Sequence, residues 1–564
     1  MNIMPLKQVS RHPYFFVGII VLVWLASYIL VHYTVGEFLN WDEIEHLSVA
    51  RGIVRDFDFS ARDYTIMGII KQGYPAHLSY YPVFATYLAS FMAILGDTAE
   101  VAYFANWIAA LATSILIYLI SLRLIPQSRA FAFITALAFL FFPGNWMHIQ
   151  SALMEQAGAF LIALAALVFI QEYMRGRFTA WTILKFSLLL AVLWFFKTLL
   201  VGFFFGAAAF FAFVYWERRR GNGIHLRISF PLFLAATGAG FSVLVFLGTY
   251  YLFYPLSPYF VAVPALKTAQ VYADFLGGFF NNFWQNIYVN LTHLVTRLIF
   301  QQIIYPAQPT PYLTSFMVFV RYYFFIFFAA LFFAVSGWKR MTPVMRVFSA
   351  LSVGSIIAFN IILNTIAIEG PENIHRYNLN YLPLYLPFIS IIFYANLGYL
   401  ARFMEEHRRI AQYLAGLVIA IFYVPLFLTM FKHQISLLHR YNTLGSRTSK
   451  IITAFIRDSK PAFIYLNRGA HTHFISYPVR VVSEQATHEQ FVKVNTILPE
   501  PMKFLFLTER DWLYQENREE IEQKKSIFNG QYAYQGSGVL PGKNQDKVMV
   551  YMLKEKNAPA GPAD

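Results

Sequence analysis

The sequence predicts an α-helical polytopic membrane protein of about eleven spanning helices, with interfacial helices on its outer face and a soluble α/β domain at its C-terminal end. Three observations carry that prediction. Of 564 residues, 58% are hydrophobic and 13% charged, where a soluble globule carries about 25% charged residues. Apolar runs of about 20 residues, the length that crosses a hydrocarbon core about 30 Å thick, recur as far as Phe431. Basic residues gather in short connectors between those runs, which is how membrane orientation is written. A soluble enzyme, a disordered chain and a fibrous protein are excluded. The net charge of +14 therefore reports orientation and no nucleic-acid partner. With no cysteine, a disulfide framework, a zinc–thiolate site and a cysteine nucleophile are excluded too.

The run Tyr14–Tyr33 is too long for a signal-peptide core and lacks a small-residue cleavage site, so it is expected to remain as the first helix. Further spans are expected at Val101–Leu122, Ser151–Ile170, Phe230–Phe253, Ser315–Val335, Val347–Ile366, Leu379–Leu400 and Ile410–Phe431. Ala130–Phe142 is short, and Trp181–Trp216 is long enough for two spans meeting near Lys197. With Lys7 and Arg11 in the cytoplasm, the clusters at Arg123 and Arg129, Arg175 and Arg177, Arg218 and Arg227, Lys339 and Arg346, and Arg402 and Arg409 fall on the same side. That agreement requires the short apolar stretch Val83–Leu95 to lie at the interface rather than cross.

Residues 1–433 thus form the transmembrane part, with a first outer loop over 34–97 and a second over 254–314. In the second loop Phe280, Phe283, Trp284, Ile287 and Leu291 recur at the spacing of an amphipathic helix on the membrane surface. Residues 434–564 form an extracytoplasmic soluble domain. Its β-rich runs (Ala462–Leu466, Arg480–Ser483, Lys503–Leu507, Lys547–Leu553) alternate with helical stretches such as Asp511–Lys525.

Asn40-Trp41-Asp42-Glu43 carries the strongest chemical signal. Two adjacent carboxylates stand just past the outer end of the first span, where an acid is costly unless it faces a polar cavity. One carboxylate can take the proton of an attacking hydroxyl while the other orients an acceptor, a metal or its neighbour. Alternatively Asn40 or Asp42 caps the following helix and the acids favour its dipole; the two roles are compatible. Glu155, in the first turn of an apolar helix, either snorkels or lines a site. Arg376 departs from the inward bias of basic residues and suits a bidentate grip on phosphate, unless it pairs with Glu369 or Glu372. Lys197 offers a second outward cation or snorkels to the surface. His46 and His375 read as supporting groups rather than ligands. Asp56-Phe57-Asp58 has the spacing of a cation-holding pair and equally of a turn salt-bridged to Arg55 and Arg62. Asp42, Glu45 and His46 share a helix face, the geometry of a metal site or of a solvated surface.

In kind and order these stretches resemble the GT-C superfamily of polytopic glycosyltransferases, especially its protein-mannosyltransferase and aminoarabinose-transferase-like branch. Trp41-Asp42-Glu43 is similar to the acidic pair early in that family's first outer loop. Ser79-Tyr80-Tyr81-Pro82-Val83-Phe84 resembles its proline-aromatic helix, but the His or Lys usual beside the proline is missing, and Lys71 and His77 are the nearby substitutes. Ser151-Ala152-Leu153-Met154-Glu155, and His375-Arg376-Tyr377-Asn378 followed by Leu382-Pro383-Leu384, resemble two further family stretches. The Trp-Trp-Asp signature of the asparagine-glycosylating branch is absent.

The resemblance implies an inverting hexosyl- or pentosyltransferase that uses a polyprenyl-phosphate-linked sugar. Asp42 would be the general base and Glu43 its orienting neighbour. Arg376, Lys197, Lys71, His77, Tyr81, Glu155 and His375 would surround the donor and its phosphate. The implied partners are that donor, membrane lipids and a lipid, glycan or protein acceptor. No cofactor is demanded, and a divalent metal stays open. A transporter or flippase of a lipid-linked substrate, and an oligosaccharide polymerase or ligase, are the other readings. Span centres nearly free of charge, with the polar groups gathered at one surface, favour an enzyme over a pump. The absence of cysteine and the outward tail point to a bacterial inner membrane with the active face in the periplasm.

Overall fold

A computed structural model describes residues 14–34, 41–57, 63–65, 69–70, 82–141, 149, 152, 154–196, 200, 202–219, 225–226, 230–253, 337–366, 379–406, 462–466, 480–483, 488–500, 502–507, 532–539 and 547–553. In chain order the elements are α1 (Phe15–Thr34), α2 (Trp41–Asp56), β1 (Asp63–Thr65), α3 (Pro82–Leu95), α4 (Ala99–Leu124), α5 (Arg129–Leu140), α6 (Glu155–Met174), β2 (Arg177–Phe178), α7 (Ala180–Phe196), α8 (Gly202–Arg219), β3 (His225–Leu226) and α9 (Phe230–Leu247). They continue with α10 (Pro343–Ile366), α11 (Leu382–Glu406), β4 (Phe463–Leu466), β5 (Arg480–Ser483), α12 (His488–Ile497), β6 (Lys503–Leu507), β7 (Tyr532–Val539) and β8 (Lys547–Leu553). The expected spans Ser315–Val335 and Ile410–Phe431, the amphipathic stretch of the second loop and the helical stretch Asp511–Lys525 lie outside the described residues.

The chain divides into two compact units. One is helical and holds α1, most of α4, and α5 to α11. Among the described residues three of its helices, Glu100–Leu124, Glu155–Met174 and Phe230–Leu247, are long and apolar enough to cross a membrane by length and composition. The long apolar stretch around Lys197 is two helices, the first ending at Phe196 and the second beginning at Gly202. Contacts fix the directions. Trp24 of α1 donates its indole N–H to the Trp107 carbonyl of α4 at 2.8 Å, and Tyr28 meets Phe104, so those two helices are antiparallel. The Thr135 and Ser390 hydroxyls lie 2.7 Å apart and Phe131 meets Tyr394, so α5 and α11 are antiparallel too. Ser187 donates to the Thr237 carbonyl at 2.9 Å, and Phe195 lies against Gly248, so α7 and α9 run side by side in the same direction.

Lipid tails are as apolar as leucine, so these helices gain little from leaving lipid for one another; close packing and internal polar contacts hold them. Aromatic rings do much of that filling. Phe169 of α6 meets Phe186 of α7 at 4.2 Å between centroids, and Phe203 and Phe210 of α8 at 5.6 and 5.0 Å. At one end of this unit, Glu172 is buried and accepts from Arg175 (2.5 Å), Lys185 (2.8 Å) and Thr182 (2.8 Å), tying α6 to α7. At that same end Arg346 of α10 donates to the buried Glu217 of α8 at 2.9 Å. A buried carboxylate is tolerable only when paired in this way.

The second unit holds α2, β1, α3, α12 and the strands β4 to β8. Its sheet has the order β1-β5-β4-β6-β8-β7, with β1, β5, β4 and β6 parallel and β8 antiparallel to both β6 and β7. Two features depart from the sequence reading. β7, with Gly536 and Gly538 and a register shift between Tyr534 and Gly536, is a strand its composition hides. β1 comes from the first loop, yet pairs with β5 of the tail through Asp63–Val481, Tyr64–Val482 and Thr65–Ser483. Three residues carry too little pattern to announce a strand. The pairing makes a direct prediction in a chain without cysteine. Tyr64→Cys with Val482→Cys, facing each other in register, should form a disulfide on mild oxidation, seen as linked fragments after proteolysis between the two positions. Failure of this pair to link, while a Tyr465→Cys/Val482→Cys control does, would show that β1 does not pair as described.

Candidate active site

Asp42 and Glu43 stand in the first turn of α2. The buried face of this helix is His46, Leu47, Val49, Ala50 and Ile53, and that of α3 is Phe84, Ala85, Leu88, Ala89 and Met92. Both are helical stripes, and they pack together. His46 meets Phe84 edge-on at 4.9 Å, while at the far end Arg51 (2.8 Å) and Arg55 (3.0 Å) both reach Asp97, just past α3. The two helices are therefore parallel, and their N-termini lie at the same end. The acidic pair and Pro82, the start of the Tyr-Tyr-Pro helix, thus share one end of this pair, where both helix dipoles present their positive poles. At 14 residues, α3 is about 21 Å long, short of a bilayer crossing. Burial pushes the Tyr87 phenol on α3 well above its usual value, so it stays protonated. Asp56 ends α2, and Phe57 closes it in the left-handed region (φ 55).

In the helical unit, five chain segments converge at the end opposite the Glu172 and Glu217 ion pairs. Glu155 opens α6 and is 1% exposed, so it is turned into the protein and does not snorkel. One turn on, Gly158 leaves space that the Asn380 side chain fills, and Phe196, the last residue of α7, lies 3.4 Å from where a Cβ would stand. Tyr381 stacks on Phe359 of α10 at 4.3 Å, and the backbone N–H groups of Gly202 and Phe203 at the start of α8 donate to its hydroxyl. An acid, a buried carboxamide and a capped phenol thus gather where α6, α8 and α11 begin and α7 ends.

Of the site residues expected from sequence, Asp42 and Glu43 are placed on α2 and Glu155 on α6. Lys71, His77, Tyr81, Lys197, His375 and Arg376 lie outside the described residues. In the chain, Lys197 directly follows Phe196, and Arg376 stands four positions before Asn380. Among the described residues no three His, Asp or Glu side chains group as a metal site. Asn380, Tyr381 and Gly158 escaped the sequence reading. A polar Asn directly before an apolar helix, and a glycine one turn after a membrane acid, were the available signals.

Compared with solved structures, the chain aligns with ArnT from Cupriavidus metallidurans bound to undecaprenyl phosphate at 11% identity and a TM-score of 0.52, covering 97% of this chain and 100% of that one. It aligns with the Archaeoglobus fulgidus oligosaccharyltransferase in complex with zinc and sulfate at 13% identity and a TM-score of 0.53, covering 95% of this chain and 73% of that one. Both are GT-C glycosyltransferases. This chain shares the fold of these two proteins. No family model matches it, and no curated protein does. It is a multi-pass membrane protein: it shares the fold of membrane proteins, and among the described residues three helices are long and apolar enough to cross a membrane. At this level of identity the GT-C likeness concerns the fold, and the chemistry rests on the residues.

Proposed function

We propose that this protein is a membrane glycosyltransferase that moves a hexose or pentose from a polyprenyl-phosphate carrier to a lipid, glycan or protein acceptor. The observation that supports this most is the GT-C fold extending over 97% of this chain and all of ArnT, which was solved with undecaprenyl phosphate bound. The reaction takes place at the non-cytosolic face of a bacterial inner membrane. That orientation is supported by the basic residues Arg175, Lys185, Arg219 and Arg346, which stand at the opposite end of the helical unit from Glu155 and Tyr381.

A lipid-linked donor holds its phosphate and sugar at the headgroup boundary, so the reacting groups must reach that level. Asp42 takes the proton of the acceptor hydroxyl as its oxygen attacks the anomeric carbon, and Glu43 orients the acid or the acceptor. The bond from the anomeric carbon to the phosphate oxygen breaks, and its electron pair leaves with the lipid phosphate. Arg376 and Lys197, with Lys71 or His77, neutralise that charge, a contribution that can dominate such catalysis. One displacement by one base inverts the anomeric carbon.

The test is binding of undecaprenyl phosphate to the full-length protein in detergent. Arg376→Ala should weaken it roughly tenfold or more, the scale of a charge-assisted hydrogen bond. Unchanged affinity in that variant, or no binding by the wild type, would overturn the proposal.

A further inference from the structure

Large apolar side chains stand in the open at the end of the α2–α3 pair opposite the two acids. Phe57 is 69% exposed, Ile94 81% and Leu95 53%. They share that end because α2 and α3 run parallel, and Arg51 and Arg55 both close on Asp97 just beyond α3. The exposed residues earlier on α3, Thr86, Ser90 and Ala93, are hydroxylated or small. The open apolar surface is thus a tip and not a stripe along the helix. A cluster of this kind marks a surface that something covers. Phe57 sharpens the point. Its backbone is left-handed (φ 55), a conformation costly for a bulky side chain and easy for glycine. The chain places a phenyl ring there that lies mostly outside the core, so its gain comes from what it meets beyond the protein.

Chain continuity identifies that surrounding. Only Gly96, Asp97 and Thr98 separate α3 from α4, whose run Glu100–Leu124 is long and apolar enough to cross a membrane. The turn between them is tight. Gly96, at φ 111, donates its N–H to the Met92 carbonyl at 2.9 Å, and Thr98 donates to the Gly96 carbonyl at 3.1 Å. Asp97 sits in that turn, held by both arginines, and the whole stretch from α2 to Ala102 belongs to one compact unit. The apolar medium beside the tip is therefore the bilayer at the mouth of α4. Headgroup charge does not select it: Arg51 and Arg55 are matched along the same chain ends by Asp56, Asp97 and Glu100.

We infer that Phe57, Ile94 and Leu95 form a lipid-inserting tip, which dips into the bilayer surface where α4 enters and holds the end of the α2–α3 pair there by apolar contact alone. Amphipathic elements of this sort bury their apolar groups about 5–10 Å into the boundary between headgroups and acyl chains. Apolarity by itself put all of α3 at the interface; exposure singles out its last turn and adds Phe57 from α2. The inference concerns the membrane and is independent of the sugar, the acceptor and the role of Asp42.

The experiment uses the absence of cysteine, which lets one nitroxide be attached to one introduced cysteine in the full-length protein. The labelled protein is reconstituted in phosphatidylcholine vesicles. Collisions of the label are measured with oxygen, which concentrates in lipid, and with a nickel chelate kept in the water on both sides. Val243→Cys, exposed on the membrane-length helix α9, gives the lipid reference, and Lys493→Cys, exposed on α12, gives the water reference. Labels at Phe57→Cys and Ile94→Cys should meet oxygen in preference to the chelate, as at position 243, and so depart from position 493. Phe57→Gly with Ile94→Ser eases the backbone and leaves the buried stripes intact, so that protein should fold. In it a label at Leu95→Cys should shift toward the water reference. Labels at 57 and 94 that match position 493, or a label at 95 that does not move in the double variant, would overturn the inference. So would immersion that needs added phosphatidylglycerol, since charge would then be the attraction. Spin–spin broadening at 57 or 94 that disappears on dilution with unlabelled protein would show a second copy covering the tip, and would overturn it as well.

Discussion

Asp42→Asn is expected to lower sugar transfer by roughly 10²- to 10⁴-fold, the range that a positioned general base contributes. The substitution separates the two roles open to this residue. Within the first turn of α2 the change removes only the interaction of a carboxylate with the helix dipole, about 0.3–1 kcal/mol, so the start of α2 and its packing on α3 should survive. What Asn cannot do is accept a proton from an attacking hydroxyl. If Asp42 only favours the α2 dipole, the variant folds and turns over normally. If Asp42 is the base, the variant folds, binds undecaprenyl phosphate and does not turn over. The assay is consumption of lipid-linked sugar by purified protein, with unfolding temperature and lipid affinity as internal controls. Glu43→Gln should cost less, because it changes an orienting group and leaves the base in place. Near-normal turnover by Asp42→Asn would remove that residue from the mechanism.

Much of the helical unit was legible in the sequence because membrane helices advertise themselves by length and apolarity. α1, α4, α6 and α10 lie within a few residues of the expected runs, and the break after Phe196 falls beside the lysine that marked it. The start of α2 was legible for a different reason: two adjacent carboxylates just beyond a membrane span are too costly to pass unnoticed. What stayed hidden depends on pairs distant in sequence. No local pattern tells Gly158 that it will face Asn380, or Tyr64 that Val482 will lie beside it. The parallel packing of α2 and α3 was hidden for the same reason, since it rests on Arg51 and Arg55 meeting Asp97. Glu155 was read correctly as a polar residue at a helix start, but its burial could not follow from the sequence. Whether an acid snorkels or turns inward depends on which helices surround it.

The second large effect is expected from Gly206→Leu, which should abolish a folded, monodisperse protein in detergent. Position 206 faces α10 so closely that a Cβ would overlap the Ser355 hydroxyl and stand 2.5 Å from the Leu351 carbonyl oxygen. A side chain can swing aside; a helix carbonyl cannot. The same approach is made from the other partner, where a Cβ on Gly354 would lie 2.8 Å from that of Ala209. One turn before Gly206, Gly202 meets Phe359 at 2.6 Å in the same sense. Inserting even one or two methylenes into a packed core costs about 1–3 kcal/mol, and a leucine here must push two backbones apart. In lipid no hydrophobic gain offsets that loss, because close approach of small residues is itself what joins such helices. Gly238 on α9 is the matched control: nothing lies within 4 Å of its Cβ position, so Gly238→Leu should be tolerated. Equal behaviour of the two variants would defeat the packing argument. A milder Gly206→Ala tests its functional side. It should spread α8 from α10 where Tyr381 caps α8, and so shift the chain that leads from Lys197 into α8 before the fold fails. Lipid affinity should therefore fall at temperatures where the protein is still folded.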